Sequence, residues 1–142
     1  MRIFVMCKEV YRVEVDLPSG SYGMFLAEFY TEDENIKKAC QNYRRKAPYM
    51  PEPEHPSFDL GIPYCIQFGC ESPQQLMNWF GWNKILLRET LKHFKLRKYK
   101  VYNHYDCEQQ VGFDLESSVL LEELDFKSFN SLLKIKWESS YV

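Results

Sequence analysis

The chain has 142 residues, 45% of them apolar and 27% charged, a balance typical of one folded domain and unlike that of a disordered tail. Its formal charge of −2 gives no overall attraction to nucleic acid or to an anionic membrane. No apolar run approaches the roughly 20 residues that a membrane-spanning helix needs, and charges from Lys8 onward interrupt the first segment too early for a signal peptide. We therefore expect one domain over residues 1–142, located in the cytoplasm.

The first third of the chain predicts a β-hairpin followed by a helix. Residues 2–16 alternate apolar and charged side chains as a strand does, residues 17–21 have turn composition, and residues 24–30 predict the returning strand. A capping box at residues 31–34 begins the first helix, in which apolar side chains recur at helical spacing as far as Ala47. Such an amphipathic helix is expected to lie on the sheet.

The middle of the chain predicts a loop and two further helices. Residues 48–63 contain five prolines, which exclude a helix or a central strand, and their interleaved apolar residues favour an ordered loop packed on the domain. Ser72 then caps a second helix that opens at Pro73 and ends near Gly81. A third helix is predicted over about residues 83–95, with an apolar stripe beside a basic one.

The last third predicts a second hairpin and a helical end. Residues 98–105 and 109–115 alternate as two strands around a short turn. Residues 117–142 predict a helix around Val119–Leu124, a second short helix from near Asp125, and a frayed tail. Hairpins separated by helices indicate an α+β fold, with an antiparallel sheet built from two hairpins and three or more helices packed on it.

The signatures of common enzyme classes are missing from this sequence. It has no glycine-rich phosphate loop, no nucleophile elbow, no HExxH and no CxxC, so we expect no cofactor and no metal. A tetrahedral zinc site with three cysteines and one histidine is an alternative. Five cysteines without a signal peptide favour free thiols, and buried free cysteine is the ordinary state of such residues. The candidate zinc ligands are Cys65, Cys70, His104 and Cys107.

A second alternative is a small enzyme with its site in the proline-rich loop. A histidine near a carboxylate can act as a general base whose tautomer the acid fixes. His55 would be the base, and Asp59 or Glu54 would orient it. The competing interpretation is structural, with His55 hydrogen-bonded to its own loop before Pro56. We favour the structural interpretation, because titratable loop residues greatly outnumber catalytic ones.

Binding is the function that the sequence favours. Aromatic residues make up 16% of the chain, which fits a dense core or a binding face, and residues 84–105 carry seven basic residues against one acid. Aromatic anchors at the centre of an interface and basic residues that steer an acidic protein partner would act together. Nucleic acid is the alternative partner, although the chain is not basic overall. The residues predicted to bind are Trp79, Trp82, Arg88, Lys92, Lys95, Tyr99 and Tyr102.

A set of short motifs in the middle half of the chain carries a resemblance to known proteins. The motifs are His55-Pro56, Asp59-Leu60-Gly61-Ile62, Phe68-Gly69, Ser72-Pro73-Gln74-Gln75-Leu76, Trp79-Phe80 and Gln110-Val111-Gly112-Phe113-Asp114. In these the chain resembles small proteins of bacteriophages and prophages. The resemblance implies an accessory protein in a bacterial cytoplasm that binds a host or viral macromolecule, and it implies no particular activity.

Overall fold

The computed structural model describes residues 7–47, 53–63, 65–80, 85, 88–89, 92–124 and 131. Seven strands, three α-helices and one short 3-10 helix have both ends within these residues, and Ile85, Arg88, Glu89 and Ser131 are helical as well. Their order is β1 Lys8–Leu17, β2 Gly20–Gly23, α1 Met24–Tyr30, α2 Glu34–Lys46, the 3-10 helix Pro56–Phe58, β3 Ile66–Gly69, α3 Pro73–Phe80, β4 Lys95–Val101, β5 His104–Asp106, β6 Val111–Asp114 and β7 Val119–Leu124.

The strands form two antiparallel sheets, and this overturns the predicted fold class. One sheet has the order β2-β1-β4-β7 and the other the order β3-β6-β5. The prediction of an α+β fold with one antiparallel sheet under three or more helices is therefore wrong, because the described part of the chain is rich in strands and these divide into two sheets. The predicted strand over residues 98–105 bends at residues 102–103, and its two halves join different sheets.

Two segments adopt a different secondary structure from the predicted one. Residues 24–30 are helix α1 and not a returning strand, and β2 is a separate, shorter strand that completes the first hairpin. Val119–Leu124 is strand β7 and not a helix. Its leucines and glutamates have good helix propensity, but antiparallel pairing with β4 outweighs that local preference. The predicted helix near Asp125 lies outside the described residues, apart from a helical Ser131.

The first predicted helix is confirmed, although its cap differs. Helix α2 begins two residues later than a Thr31 cap requires, because Asp33 is the capping residue. The Asp33 carboxylate accepts from the main-chain N–H groups of Asn35 at 2.8 Å and Ile36 at 3.2 Å. The Thr31 hydroxyl accepts instead from the N–H of Asp33 at 3.0 Å. Two short side chains in succession thus satisfy the start of this helix.

The second predicted helix is confirmed together with its cap. The Ser72 hydroxyl accepts from the N–H of Gln75 at 3.2 Å, and the Gln75 side chain accepts from the N–H of Glu71 at 2.9 Å. The third predicted helix lies largely outside the described residues, and its predicted end is wrong because β4 begins at Lys95.

Two hydrophobic cores lie on opposite faces of the four-stranded sheet. On one face the three helices pack against alternate residues of β1 and β4 such as Val13 and Leu96. On the other face Val10 and Tyr99 pack against Phe113 of the three-stranded sheet. The two sheets approach closely at Gly69, where an added Cβ would lie 2.3 Å from the Val10 side chain.

Candidate binding surface

The charged face of β1 is buried between the sheets. Arg12 and Glu14 lie beside Arg97 of β4, and each of the three exposes less than a tenth of its surface. Glu14 accepts from both guanidinium groups, at 2.6 Å from Arg12 and at 3.0 Å from Arg97. Gln67 of β3 accepts a further hydrogen bond from Arg12 at 2.7 Å. Tyr99 donates to the same glutamate. We call these five side chains the buried network.

Burial lowers the pKa of the Arg12 guanidinium, whereas the shifts of Asp16, Arg97 and Tyr99 favour their ordinary charge states. Hydrogen bonds from Arg97 and Ser21 hold the pKa of the Asp16 carboxyl well below its usual range. The same hydrogen bond to Asp16 raises the pKa of Arg97. Burial, reinforced by the hydrogen bond to Glu14, raises the pKa of the Tyr99 hydroxyl. Asp16 and Arg97 are therefore charged and Tyr99 is neutral at neutral pH, which suits a structural role and not proton transfer.

The predicted aromatic anchors fall in different environments. Tyr99 belongs to the buried network and exposes 7% of its surface. Trp79 packs against the helix-side core, and its indole N–H donates to a main-chain carbonyl at 2.7 Å. Tyr102 is exposed, with the Lys100 ammonium 5.6 Å from the centre of its ring. Trp82 lies outside the described residues.

The predicted basic residues are exposed, and two of them have acidic partners. Lys92 lies 3.0 Å from Glu89. Lys95 lies 3.4 Å from Glu123. Arg88 is exposed on the helical backbone nearby. These acids reduce the positive field that a steering surface needs.

The candidate zinc ligands are not brought together. Cys70 is buried on the helix side, where burial raises the pKa of its thiol, whereas Cys65 is exposed. The His104 ring nitrogen Nδ1 lies 2.9 Å from Asp106, and the Cys107 thiol donates to a main-chain carbonyl. Within the ranges that the structure covers, no three residues of the metal-ligating types form a group that could hold an ion. All five cysteines are free thiols.

His55 caps its own loop, as the structural interpretation expects. Its Nδ1 accepts from the N–H of Ser57 at 3.0 Å, and its ring packs against Phe58 and Tyr105. Asp59 and Glu54 are both exposed. Among the residues with described positions, no hydrogen bond or ion pair joins His55 to either acid. The geometry therefore gives this histidine a capping role and no orienting carboxylate.

An exposed apolar surface on α1 is the feature that the sequence reasoning missed. Leu26, Phe29 and Tyr30 expose 45%, 73% and 56% of their surfaces. They lie at positions i, i+3 and i+4, so they share one face of the helix. Tyr22 of β2 stacks on Tyr30, with ring centres 4.7 Å apart. We call these four side chains the α1 patch.

The part of the chain that contains the α1 patch is acidic. Residues 16–36 contain five acids and no Lys, Arg or His. Arg44 lies 3.0 Å from Glu28, and Arg97 lies 2.5 Å from Asp16, so two of the five acids are paired with arginine. Glu32 and Asp33, between α1 and α2, and Glu34, the first residue of α2, are exposed acids, and the Lys37 ammonium lies 3.6 Å from the Glu34 carboxylate. The edge of the patch is therefore negative.

The hydrophobic pattern of α1 contains the signal that could have located the patch. Met24 and Ala27 are buried at helical spacing, while the patch residues occupy the opposite face. Residues 24–30 are rich in good helix formers, and their apolar pattern fits the period of a helix as well as that of a strand. The prediction of a returning strand over residues 24–30 did not take this helical spacing into account.

Comparison with known proteins defines the class of the chain as a bacteriophage protein. It belongs to the family described as Bacteriophage T4 Y00F protein, whose family model matches residues 1–127. The resemblance inferred from the sequence motifs is thereby confirmed. No curated protein and no solved structure matches the chain. None of the helices in the described ranges is long and apolar enough to cross a membrane.

Proposed function

We propose that this phage protein is a non-enzymatic binding protein whose α1 patch contacts a protein of the host or of the phage. The observation that carries the proposal is the exposure of Leu26, Phe29 and Tyr30 on one helix face. Large contiguous apolar patches are rare on monomeric proteins and mark interaction sites. A partner that covered this face would remove three large side chains from water in a single contact.

The charge around the α1 patch defines the chemistry of the partner. Glu32, Asp33 and Glu34 place negative charge beside the apolar face. Complementary interfaces bring opposite charges together and penalise like charges. The partner surface would therefore be apolar at its centre and basic at its edge. Phosphate backbones and anionic membranes carry the wrong sign for this site, which favours a protein over nucleic acid.

Rigidity supports a role in occlusion. Helix α1 is held to the domain through buried Met24 and Ala27, and Arg44 of α2 pairs with Glu28 at 3.0 Å. A pre-formed binding face loses little conformational entropy on association. We place the action in the reducing cytoplasm of a bacterial host, which the five free thiols support.

The experiment compares affinity capture by three forms of the full chain from a nuclease-treated lysate of host bacteria. The first form is the natural sequence and the second carries Leu26→Gln and Phe29→Gln, which keep helix propensity and charge. The third carries Leu60→Gln, a change of a fully exposed leucine in the proline-rich loop. We expect a protein captured by the first and third forms and lost by the second. Truncation of two interface anchors costs about 2 kcal/mol or more, or roughly 30-fold in affinity.

Two outcomes would overturn the proposal. Either the α1 variant captures the protein as well as the natural sequence does, or none of the three forms captures any protein. Residues 84–105, which we call the basic segment, are tested in the same assay by a triple variant. It carries Arg88→Glu, Lys92→Glu and Lys95→Glu. Loss of the captured protein only in this triple variant would assign binding to the basic segment in place of α1.

A further inference from the structure

Strand β7 is apolar, and no other strand among the described residues pairs with its outer edge. It pairs with β4 on one side and is the last strand of the four-stranded sheet in the described part of the chain. Val119, Leu120 and Leu121 each expose about half of their surface. The free edge of a terminal strand carries backbone N–H and C=O groups that can pair with another strand.

The usual protections of an edge strand are weak in β7. Its sequence, Val119–Leu124, contains no lysine and no proline. Its two acids face the basic strand β4, where Glu123 lies 3.4 Å from both Lys95 and Arg97 and Glu122 is paired in register with Lys98. The charge that would repel a second strand is therefore largely neutralised within the sheet.

The sequence of β7 is complementary to itself in an antiparallel arrangement. In a pairing centred between Leu120 and Leu121, each Leu120 faces Leu121 of the second copy and each Val119 faces Glu122. No glutamate then faces a glutamate, so the arrangement avoids the like-charge pairs that destabilise cross-strand contacts. The register between β4 and β7 shifts at Lys98/Tyr99 and leaves Leu121 without a partner on β4. That residue is available for a contact across the edge.

We infer that two copies of this chain associate through β7, joining their four-stranded sheets across a two-fold axis. Each copy uses the same strand, so the assembly closes at two chains and does not extend into a fibre. Main-chain hydrogen bonds supply the affinity of such strand addition, and the leucines supply its register. The α1 patch belongs to another element, so each copy of the dimer carries its own patch for a protein partner.

The test is the mass of the full chain in solution as a function of its concentration, measured by light scattering after size exclusion. We expect twice the monomer mass of 17.1 kDa at high concentration, and a return to 17.1 kDa in the double variant Leu120→Lys and Leu121→Lys. Leu60→Lys with Ile62→Lys is the matched control, because it adds the same two charges at exposed apolar residues of the loop, and we expect it to remain a dimer. Circular dichroism confirms that each variant is folded.

Hydrogen exchange provides a second measurement that needs no variant. We expect the main-chain N–H groups of residues 119–122 that face the free edge to become protected as the concentration rises. A mass of 17.1 kDa at every concentration, with exchange independent of concentration, would overturn the inference. So would a dimer that survives both lysine substitutions in β7. A third outcome would also overturn it: the chain is a monomer, and the two lysine substitutions abolish its capture of a protein from lysate. The β7 edge would then bind a strand of that other protein.

Discussion

The buried network and the α1 patch reverse the usual distribution of residues. In the network, charged side chains of β1 and β4 lie inside the molecule, where Glu14 is fully buried between two arginines. In the patch, Phe29 and its neighbours lie in water. Each buried charged group has an ion-pair partner within the chain, although the Nε atom of Arg12 has no hydrogen-bond partner among the described residues. The apolar side chains of the α1 patch are exposed to solvent, and this difference favours α1 as the binding surface.

Breaking the buried network should have the largest effect on stability. Glu14→Gln removes the charge that two buried guanidinium groups share, while it keeps the volume of the side chain. Because this change leaves buried guanidinium charges without their counter-charge, we expect a loss of about 3–5 kcal/mol in the free energy of unfolding. Urea denaturation followed by fluorescence measures it. Glu123→Gln is the control, since that carboxylate is half exposed and should cost less than about 1 kcal/mol. Equal losses for the two variants would contradict the assignment.

The close approach of the two sheets gives the next largest effect. A Cβ on Gly69 would lie 2.3 Å from Val10 and 2.7 Å from the main-chain oxygen of Tyr11. The main chain of Tyr11 and Cys70 also exchanges two hydrogen bonds of 2.7 Å here. We expect Gly69→Ala to reduce stability by about 1–3 kcal/mol, because backbone must move and Gln67 shifts from Arg12. Gly20→Ala meets no atom within 4 Å, yet its positive φ makes it a test of backbone strain alone. A neutral Gly69→Ala would show that the sheets are farther apart.

Acid should weaken the ion pair between Asp16 and Arg97, which lies beside the buried network. The pKa of Asp16 is lowered in the folded chain, so its pairing with Arg97 stabilises the fold above the ordinary carboxyl pKa and is lost as the pH falls through the folded value. Since the carboxylate is half exposed, we expect a contribution of less than about 1 kcal/mol. Asp16→Asn should make stability between pH 5 and pH 2 fall less steeply in urea titrations. An unchanged pH dependence would show that the Asp16–Arg97 pair does not contribute to the acid sensitivity of the fold.

Polar substitution in the α1 patch should have the smallest effect on stability. Phe29→Gln exchanges a side chain that is 73% exposed, and glutamine is a good helix former. We expect a change within about 0.5 kcal/mol in the free energy of unfolding, as for other surface positions. A loss above about 2 kcal/mol would place Phe29 in the core and end its role as a surface anchor. The thermal midpoint from circular dichroism gives the same comparison.

How far the sequence predicted the molecule depends on the range of the interactions involved. The helices at Glu34–Lys46 and Pro73–Phe80 follow from local capping and periodicity, and both are confirmed. Strand β7 was predicted as a helix, because its partner β4 lies about 20 residues away and only pairing decides its state. The division into two sheets depends on a bend at residues 102–103 that has no strong turn signal. The buried network required knowledge of which strand faces Arg12 and Glu14, which no local pattern supplies.

The candidate site shows the same limit. Tyr99 was predicted as an aromatic interface anchor because tyrosine is a common residue type at interfaces. The pairing of β4 with β1 instead directs its hydroxyl to Glu14. Short motifs indicated a resemblance to phage proteins, and the family model then showed the family. The exposed face of α1 depends on residues 24–30 being a helix, which the sequence did not predict.

The most direct test of the central claim is site-specific photo-crosslinking from the α1 patch in infected bacteria. A benzophenone amino acid replaces Phe29 in one form of the protein, Leu60 in a second and Tyr102 in a third, all of them exposed positions. We expect the Phe29 form to crosslink to one protein with a basic and apolar contact surface, and the Leu60 form to give no such product. Crosslinking of that protein from Tyr102 and not from Phe29 would contradict the account and move the binding surface to the basic segment.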